Sequence, residues 1–506
     1  MYRVISQPTG LPYALYKAEQ ARSLDQYIIE KYGIPSLVLM QRAGTAAWQA
    51  AQKQWPHLKD ITVICGLGNN GGDGYVFAYL ALAAGCQVRV LQVGDPSKLT
   101  PDTLNMSNQY QLFGGKIYNF HELPARTDLI VDAVFGTGLS REITDGNWVK
   151  IIEDINEHPA PKLAIDIPSG LNADSGRIMG CAVRANLTVT FITLKRGLFT
   201  GHGPEHSGTI VFANLQVPAG IYAKEILTAK RINWQLQSKR LKPRSRSAHK
   251  GHFGHVLIIG GAPGMGGALK LAGMAAARCG AGLVSLATYP GQAAIIGTDY
   301  PELMCHEIAN PTLLEPLLQR ATVVVIGPGL GQTSWAKQML EKVLTVPQPL
   351  IVDADAINLL ATKEVSGIAR TNWILTPHPG EAARMLACSP EQIQFDRFAA
   401  IDAICRRYGG TIVLKGAGTL IQDQSGQPPA VCGDGNPGMA SGGMGDLLTG
   451  TIAAFIAQGW DLDIAARMGT CLHGAAADLA AKNGERGLLA SDLLPHLRTL
   501  INPVLP

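Results

Sequence analysis

The chain is predicted to be α/β, built as two doubly wound domains in succession. Three observations carry that expectation. Short runs of Val, Ile and Leu that end in Gly, Pro, Asn or Asp recur throughout. Helix-like segments rich in small residues lie between several of them. Glycine is abundant, at 57 of 506 residues, as tight strand-to-helix turns require. A chain of this length exceeds one hydrophobic core, which gives about two to four domains.

The first domain is read over residues 1–225. Its strand-like runs are 61–65, 87–93, 129–135, 162–167 and 187–191, with a helix-like segment at 75–84. Alternating short strands and helices give a mostly parallel sheet covered on both faces. Ligands of such sheets bind beyond the carboxyl ends of the strands. Residues 226–250 break the pattern. They are polar and carry Lys239, Arg240, Lys242, Arg244, Arg246 and Lys250 with no acid among these six. A solvated basic linker is the expectation, and a contact with substrate phosphates is the alternative. The second domain, 251–506, starts again with strand-like runs at 255–259, 283–287, 321–326, 349–353, 373–376 and 410–415, and a helix at 268–279. No short-period repeat occurs, which excludes a solenoid.

Composition narrows the function classes. The net charge is +4, too weak to argue for nucleic acid. Nine scattered cysteines form no Cys-x-x-Cys pair and no zinc-spaced cluster, which fits a reducing cytoplasm. The N-terminus, Met-Tyr-Arg-Val-Ile-Ser-Gln-Pro, has no apolar signal core, and no apolar run has transmembrane length. A soluble cytoplasmic protein is expected, with small-molecule partners and neither nucleic acid nor membrane.

Polar groups of the first half collect at strand ends. Residues 66–74 read Gly-Leu-Gly-Asn-Asn-Gly-Gly-Asp-Gly, a loop in which glycines let a ligand approach the backbone. It is neither a Walker loop nor a clean dinucleotide fingerprint. Asp132 precedes Phe135-Gly-Thr-Gly, and Asp166 precedes Ile-Pro-Ser169-Gly. Both acids could simply cap turns. Placed together at one sheet edge, they suit a ligand site, and their oxygens suit a hard cation rather than zinc.

These three motifs together resemble the signature set of the NAD(P)H-hydrate epimerase family, which has a Rossmann-like three-layer sandwich. That family interconverts the R and S forms of hydrated nicotinamide cofactors at C6. The resemblance implies a substrate site lined by Asn69, Asn70, Gly71, Gly72, Asp73, Gly136, Thr137, Gly138, Leu139, Ser140, Arg141 and Glu142. It implies a potassium ion on Asn70, Asp132 and Ser169. Asp166 would bind substrate and transfer a proton, with Lys195 as a helper.

The second half has a comparable series. Residues 438–446, Gly-Met-Ala-Ser-Gly-Gly-Met-Gly-Asp, run into an apolar helix-like segment. A glycine-rich turn before a helix start attracts phosphate, and Asp446 stands beside it as a base for an attacking hydroxyl. Further glycine clusters lie at 260–268 and 327–331, followed by Thr376-Pro-His-Pro-Gly-Glu381 and Leu414-Lys-Gly-Ala-Gly-Thr419. Taken singly, His378 is a rigid turn residue, Lys415 a surface cation, Asp353 and Asp355 turn caps, and Glu381 a helix-start acid.

Their order resembles the ribokinase-like superfamily, and within it the ADP/ATP-dependent NAD(P)H-hydrate dehydratases, over about residues 245–500. The resemblance implies that Lys415, Gly416, Ala417, Gly418, Thr419 and Gly445 bind the adenine nucleotide. It implies that Ala268, Gly331, His378 and Asp446 contact the hydrated cofactor. The two families occur fused in this order in many bacteria. Bacterial members typically use ADP, so ADP with magnesium is the expected nucleotide, and a homo-oligomer is the expected assembly. In that chemistry Asp446 takes the proton of the C6 hydroxyl as it attacks the terminal phosphate, and the amides of 442–445 stabilise the transferred charge. The alternative is a ribokinase-like kinase of a small alcohol, fused to a non-catalytic Rossmann-like binding domain.

Overall fold

In the computed structural model, residues 10–298, 300–362 and 369–502 are described. The leader-free reading of the first eight residues falls outside them. The chain divides into two compact units, one ending at Lys230 and the other continuing from Arg231.

The first unit contains β1 (Ala14–Tyr16), β2 (Asp60–Cys65), β3 (Gln87–Gln92), β4 (Lys116–Asn119), β5 (Leu129–Ala133), β6 (Lys162–Ile165), β7 (Leu187–Phe191), β8 (Leu194–Lys195) and β9 (Thr209–Ala213), and reaches β10 (Ala229–Ile232) at the unit boundary. Its main sheet has the order β4-β3-β2-β5-β6-β7-β9. Every neighbouring pair in it is parallel. The chain leaves β2 toward one edge and returns at β5 to build the other. The crevice beyond β2 and β5 is therefore a topological switch point.

Strand periodicity sets which face each side chain covers. On β5, Leu129, Val131 and Ala133 enter one core cluster and Ile130 the opposite one. The first cluster is completed by helices Ser36–Gln54 and Asn69–Ala83, the second by Ile151, Ile152 and Ile155 of helix Gly146–Glu157. A strand apolar on both faces must lie in the middle of such a sandwich.

The second unit holds β11 (His255–Gly260), β12 (Leu283–Thr288), β13 (Leu303–Glu307), β14 (Val323–Ile326), β15 (Leu350–Val352), β16 (Trp373–Leu375), β17 (Thr411–Leu414), β18 (Thr419–Gln422) and β19 (Ala430–Cys432). They are ordered β13-β12-β11-β14-β15-β16-β17-β18-β19. Pairing is parallel from β13 to β17, and β18 and β19 add antiparallel. The switch point lies between β11 and β14. Their following loops are tied together: the Gly261 and Ala262 amides donate to the Pro328 and Gly329 carbonyls at 3.1 and 2.7 Å.

Two expectations are corrected. Residues 69–74 are not a loop, because helix Asn69–Ala83 begins at Asn69. Glycine opposes a helix by propensity, but here packing wins. A Cβ at Gly71 would stand 2.0 Å from the Gly66 carbonyl oxygen, and one at Gly74 would stand 2.6 Å from the Ala133 Cβ. These glycines let the helix lie close on the strand ends. The stretch 226–250 is not simply a solvated linker either. It contains β10 and helix Trp234–Gln237, and Ile232 and Trp234 are core residues of the second unit. Arg244 spends its guanidinium on the Gly280 carbonyl (2.6 Å), Gln458 (2.9 Å) and the Phe253 ring. No described helix is long and apolar enough to cross a membrane. All nine cysteines are free.

The helix that carries Asp446, Met444–Ala457, packs along helix Gly266–Arg278. Their closest approach needs a bare Cα, since a Cβ at Gly450 would stand 2.0 Å from the Ala272 carbonyl oxygen. Gly450→Ala is therefore expected to lower the stability of this unit by about 1–3 kcal/mol. The measurement is the urea midpoint of the full chain, and an unchanged midpoint would show that the helices can part freely.

Candidate active sites

In the second unit, three successive strand ends and one helix converge on a buried carboxylate. Asp353 follows β15 and is 1% exposed. Its Oδ1 accepts from the Lys415 Nζ after β17 (2.9 Å) and from the Thr376 hydroxyl after β16 (2.7 Å). Its Oδ2 accepts from the hydroxyl of Thr449 (2.8 Å), one turn beyond Asp446 on helix Met444–Ala457. A buried ion pair persists only when its remaining polar atoms are also satisfied, and both oxygens of Asp353 are. Lys415 also lies 3.7 Å from Glu381. Burial works against its charge, but Asp353 and Glu381 outweigh burial and hold its pKa up.

The helix start is built to receive an anion. Gly443 is its N-cap, in the left-handed region at φ +88°, and among the described residues no side chain caps it. Uncapped first-turn amides face outward for a ligand. Gly442 is exposed with open space where a Cβ would be. Gly445 faces Lys415, whose Nζ would stand 3.4 Å from a Cβ there. The sequence reading placed Gly445 and Asp446 in a loop before the helix, whereas both belong to its first turn. Burial, reinforced by the Asp353 charge, pushes the Asp446 carboxyl up to about 7. A base poised near neutrality can take a proton and give it up again.

His378 is the N-cap of helix Pro379–Leu386. Its Nδ1 accepts from the Gly380 and Glu381 amides at 3.0 and 3.4 Å. Glu381 returns the bond by accepting from the His378 amide at 2.8 Å. Burial and the Lys415 charge lower the His378 pKa, so the ring is neutral and half exposed. Gly331 donates its amide to Asp355 at 2.9 Å, and Ala268 lies against Gly329. The Thr419 hydroxyl closes on the Gly416 carbonyl at 3.0 Å, which shapes the 415–419 turn. Arg397, fully buried, supports that turn from below by donating to the Leu414 and Lys415 carbonyls at 3.1 and 3.3 Å. Sequence reading gave no role to Thr376, Thr449 or Arg397, and Asp353 taken singly reads as a turn cap.

In the first unit, Asp132 and Ser169 are brought together at the ends of β5 and β6. The Ser169 amide donates to Asp132 Oδ2 at 2.8 Å, and its hydroxyl donates to Oδ1. Burial pushes Asp132 up to about 6 despite these bonds. Asn70 is buried in the first turn of helix Asn69–Ala83, and both its amide atoms lack a partner among the described residues. Gly136 passes over it, where a Cβ would stand 3.3 Å from the Asn70 Cβ. An orphaned buried amide oxygen calls for a ligand or ion. Asn70, Asp132 and Ser169 each carry an oxygen donor, the kind that suits a hard cation. Residues 138 and 140–142 are exposed, and Glu142 is paired with Arg177 instead of facing inward.

Asp166 sits at φ +68°, a left-handed conformation that a non-glycine residue adopts at a cost. It is held there by an ion pair with buried Lys195, whose Nζ also donates to Thr190 (3.1 Å) and the Phe191 carbonyl (3.0 Å). Two more acids share this field. Burial raises Asp73 well above the usual carboxylate range, with Asp166 and Asp25 adding to it. Burial pushes Asp25, on helix Ala18–Tyr32, up to about 6. Asp25 was missed in the sequence. It lies far upstream in an ordinary amphipathic helix, with no glycine or proline beside it to mark a strand end.

Comparison with known proteins agrees with both halves. Residues 256–498 match the family described as NAD(P)H-hydrate dehydratase, and residues 36–197 match the YjeF-related protein N-terminus family. The bifunctional NAD(P)H-hydrate repair enzyme Nnr of Coxiella burnetii is 48% identical, across 97% of this chain and 99% of the relative. The enzyme of the same name from Escherichia coli is 42% identical, across 98% of this chain and 95% of the relative. Among solved structures, a ribokinase-like superfamily protein of Enterococcus faecalis superposes with a TM-score of 0.51 at 30% identity, covering 55% of this chain and 96% of its own. This chain belongs to the family of bifunctional NAD(P)H-hydrate repair enzymes, with isomerase and lyase on one polypeptide.

Proposed function

We propose that this chain restores hydrated NADH and NADPH by two reactions, with residues 1–225 as the epimerase domain and 251–506 as the ADP-dependent dehydratase domain. The observation that carries the reading is Asp446. It is a carboxyl held near 7 at the uncapped start of a helix, beside a partly buried lysine.

In the dehydratase centre the substrate is the S hydrate, whose C6 carries a hydroxyl. Asp446 accepts that hydroxyl's proton as the oxygen attacks the terminal phosphorus of ADP. The P–O bond to AMP breaks, and the first-turn amides of 443–446 hold the charge on the phosphoryl in flight. Lys415, Gly416, Ala417, Gly418, Thr419 and Gly445 hold the nucleotide, and Ala268, Gly331 and His378 hold the hydrated cofactor. The phosphate ester then eliminates phosphate, and the reduced ring re-forms. Magnesium would screen the nucleotide phosphates. The Asp353 and Glu381 oxygens are already committed to protein partners, so the ion would be held through the phosphates and water.

In the epimerase centre Asn69, Asn70, Gly71, Gly72 and Asp73, with the turn from Gly136 to Glu142, take up the hydrate. Asp166 moves the proton, with Lys195 holding it in place. Asn70, Asp132 and Ser169 would hold potassium, which supplies a fixed positive charge. A homo-oligomer in the cytoplasm completes the proposal, and light scattering of the purified chain tests the assembly.

With mixed R and S hydrates, ADP and magnesium, the absorbance of reduced nicotinamide is expected to recover fully. Recovery of the S portion alone would remove the epimerase, and accumulation of a stable phosphate ester would favour a kinase. Asp166→Ala is expected to abolish R-hydrate recovery while leaving the S portion unchanged. Asp446→Asn is expected to keep nucleotide binding, read by calorimetry, and to slow dehydration by about 10²-fold or more.

Asp446 also makes a stability prediction. Its folded pKa, about 7, lies above the ordinary aspartate value of 3.8. The folded state therefore holds the proton more tightly. The resulting stability is complete below pH 4 and is lost as pH rises through 7. Asp446→Asn is free of that loss, so its urea-melt advantage over the wild type should grow by about 1–2 kcal/mol from pH 5 to pH 8. A constant difference across that range would refute the raised carboxyl.

A further inference from the structure

We propose that Asp353 is the positioning residue of the dehydratase centre: it fixes the Lys415 ammonium and the Thr449 hydroxyl on its two oxygens, and so sets where the nucleotide's phosphate and the Asp446 base meet. This rests on the reading of Asp446 as the base.

The geometry is specific. Oδ1 holds the cation and Oδ2 holds the helix. Thr449 lies one turn after Asp446, so a bond to it fixes the rotation of the first turn about the helix axis. A Cβ at Gly445 would stand 3.4 Å from Lys415 Nζ and 3.9 Å from Asp353 Oδ2, so ammonium and helix start are held nearly in contact. The carboxylate itself has little freedom. The Asp353 amide donates to the Ile326 carbonyl at 3.1 Å, and its own carbonyl would stand 1.8 Å from a Cβ at Gly327. The next residue, Ala354, is left-handed at φ +49°. A strained non-glycine residue beside a buried charge is a mark of functional placement. Asp353 needs no contact with substrate in this role.

The role is also electrostatic. The charged groups around Asp446 are Asp353 and Asp355 after β15, Glu381 on helix Pro379–Leu386, and Lys415 after β17. On helix Leu462–Ala480, which packs along Met444–Ala457, His473 is buried and pushed down to about 4, hence neutral. On helix Gly266–Arg278, Lys270 reaches over the Tyr300 ring and Arg278 is exposed at the far end. On β11, His255 pairs with Ser285 at the opposite end of the strand. Asp353 thus raises the Asp446 carboxyl while Lys415 lowers it.

The experiment is a set of pH profiles of dehydration with nucleotide KM. The wild-type acid limb of kcat is expected near pH 7. Asp353→Asn removes an anion and leaves Lys415 with only the more distant Glu381 to offset it. Both effects lower the Asp446 pKa, so the limb should move down by about one unit. The nucleotide KM should rise about tenfold as Lys415 loses its anchor. Lys415→Met removes the cation and should move the limb up. Thr449→Val removes one hydrogen bond and no charge, and should lower kcat about tenfold with the limb unmoved. A limb that stays put in Asp353→Asn, or an unchanged nucleotide KM, overturns the proposal. If Asp353→Asn does not fold, an unshifted limb in Lys415→Met together with full kcat in Thr449→Val overturns it. Failure of the underlying reading is separate, since Asp446→Asn would then keep normal turnover.

Discussion

A charge removed from water must be compensated in place, and in the second unit that requirement falls on Asp353. It is buried at the end of a central parallel strand, where unsatisfied ionised oxygens would cost several kcal/mol. Two hydroxyls and one ammonium meet that need, and they come from three different elements. Compensating one carboxylate therefore fixes the ends of β15, β16 and β17 and the first turns of helix Met444–Ala457 relative to one another. The glycine-rich approach to that helix, the lysine beside it and the base on it are consequences of one electrostatic constraint. Each would be ordinary if moved elsewhere.

The first unit meets the same constraint differently. Asp132 is compensated by the amide and hydroxyl of Ser169 and by the Val134 amide, and no cation takes part among the described bonds. Asp166 takes a lysine, but at the expense of a left-handed backbone. Asn70 is left with an amide that no partner among the described residues satisfies. The first site is thus incomplete by itself and suits a ligand or ion that finishes it. The second is internally complete around Asp353 and open only at the helix start.

Much of this was legible in the sequence. The run 187–191 is β7, residue for residue, because an apolar stretch between polar turns leaves little choice of boundary. Asp132, Asp166, Lys415 and Asp446 stood out as polar groups at strand or helix ends because glycine or proline lies within a few residues of each. What was not legible has a common cause. Asp353-Ala-Asp355 reads as a turn cap, since local sequence does not tell which acid faces inward to meet a lysine far downstream. Asn69–Gly74 reads as a loop, since the contacts that favour its helix, Gly71 on Gly66 and Gly74 on Ala133, are set by tertiary approach. The antiparallel β18 and β19 were missed, being short strands among turn residues. His378, which taken singly reads as a rigid turn residue, also caps helix Pro379–Leu386, and that depends on where one ring nitrogen points.

The bare Cα at Gly450 has a consequence for substrate range. Helix Met444–Ala457 lies against the Ala272 carbonyl at Gly450, which has no side chain. Sliding the helix by one position would bring Thr449 or Thr451 onto that carbonyl, so the seam works as a detent. The carboxylate at its head cannot advance or retreat to follow a bulkier or slimmer ring. Reach is set by a contact one turn and more away from the chemistry. A hydroxyl that does not arrive at the right depth simply goes unserved, which makes the helix seam a gauge for the molecule being repaired.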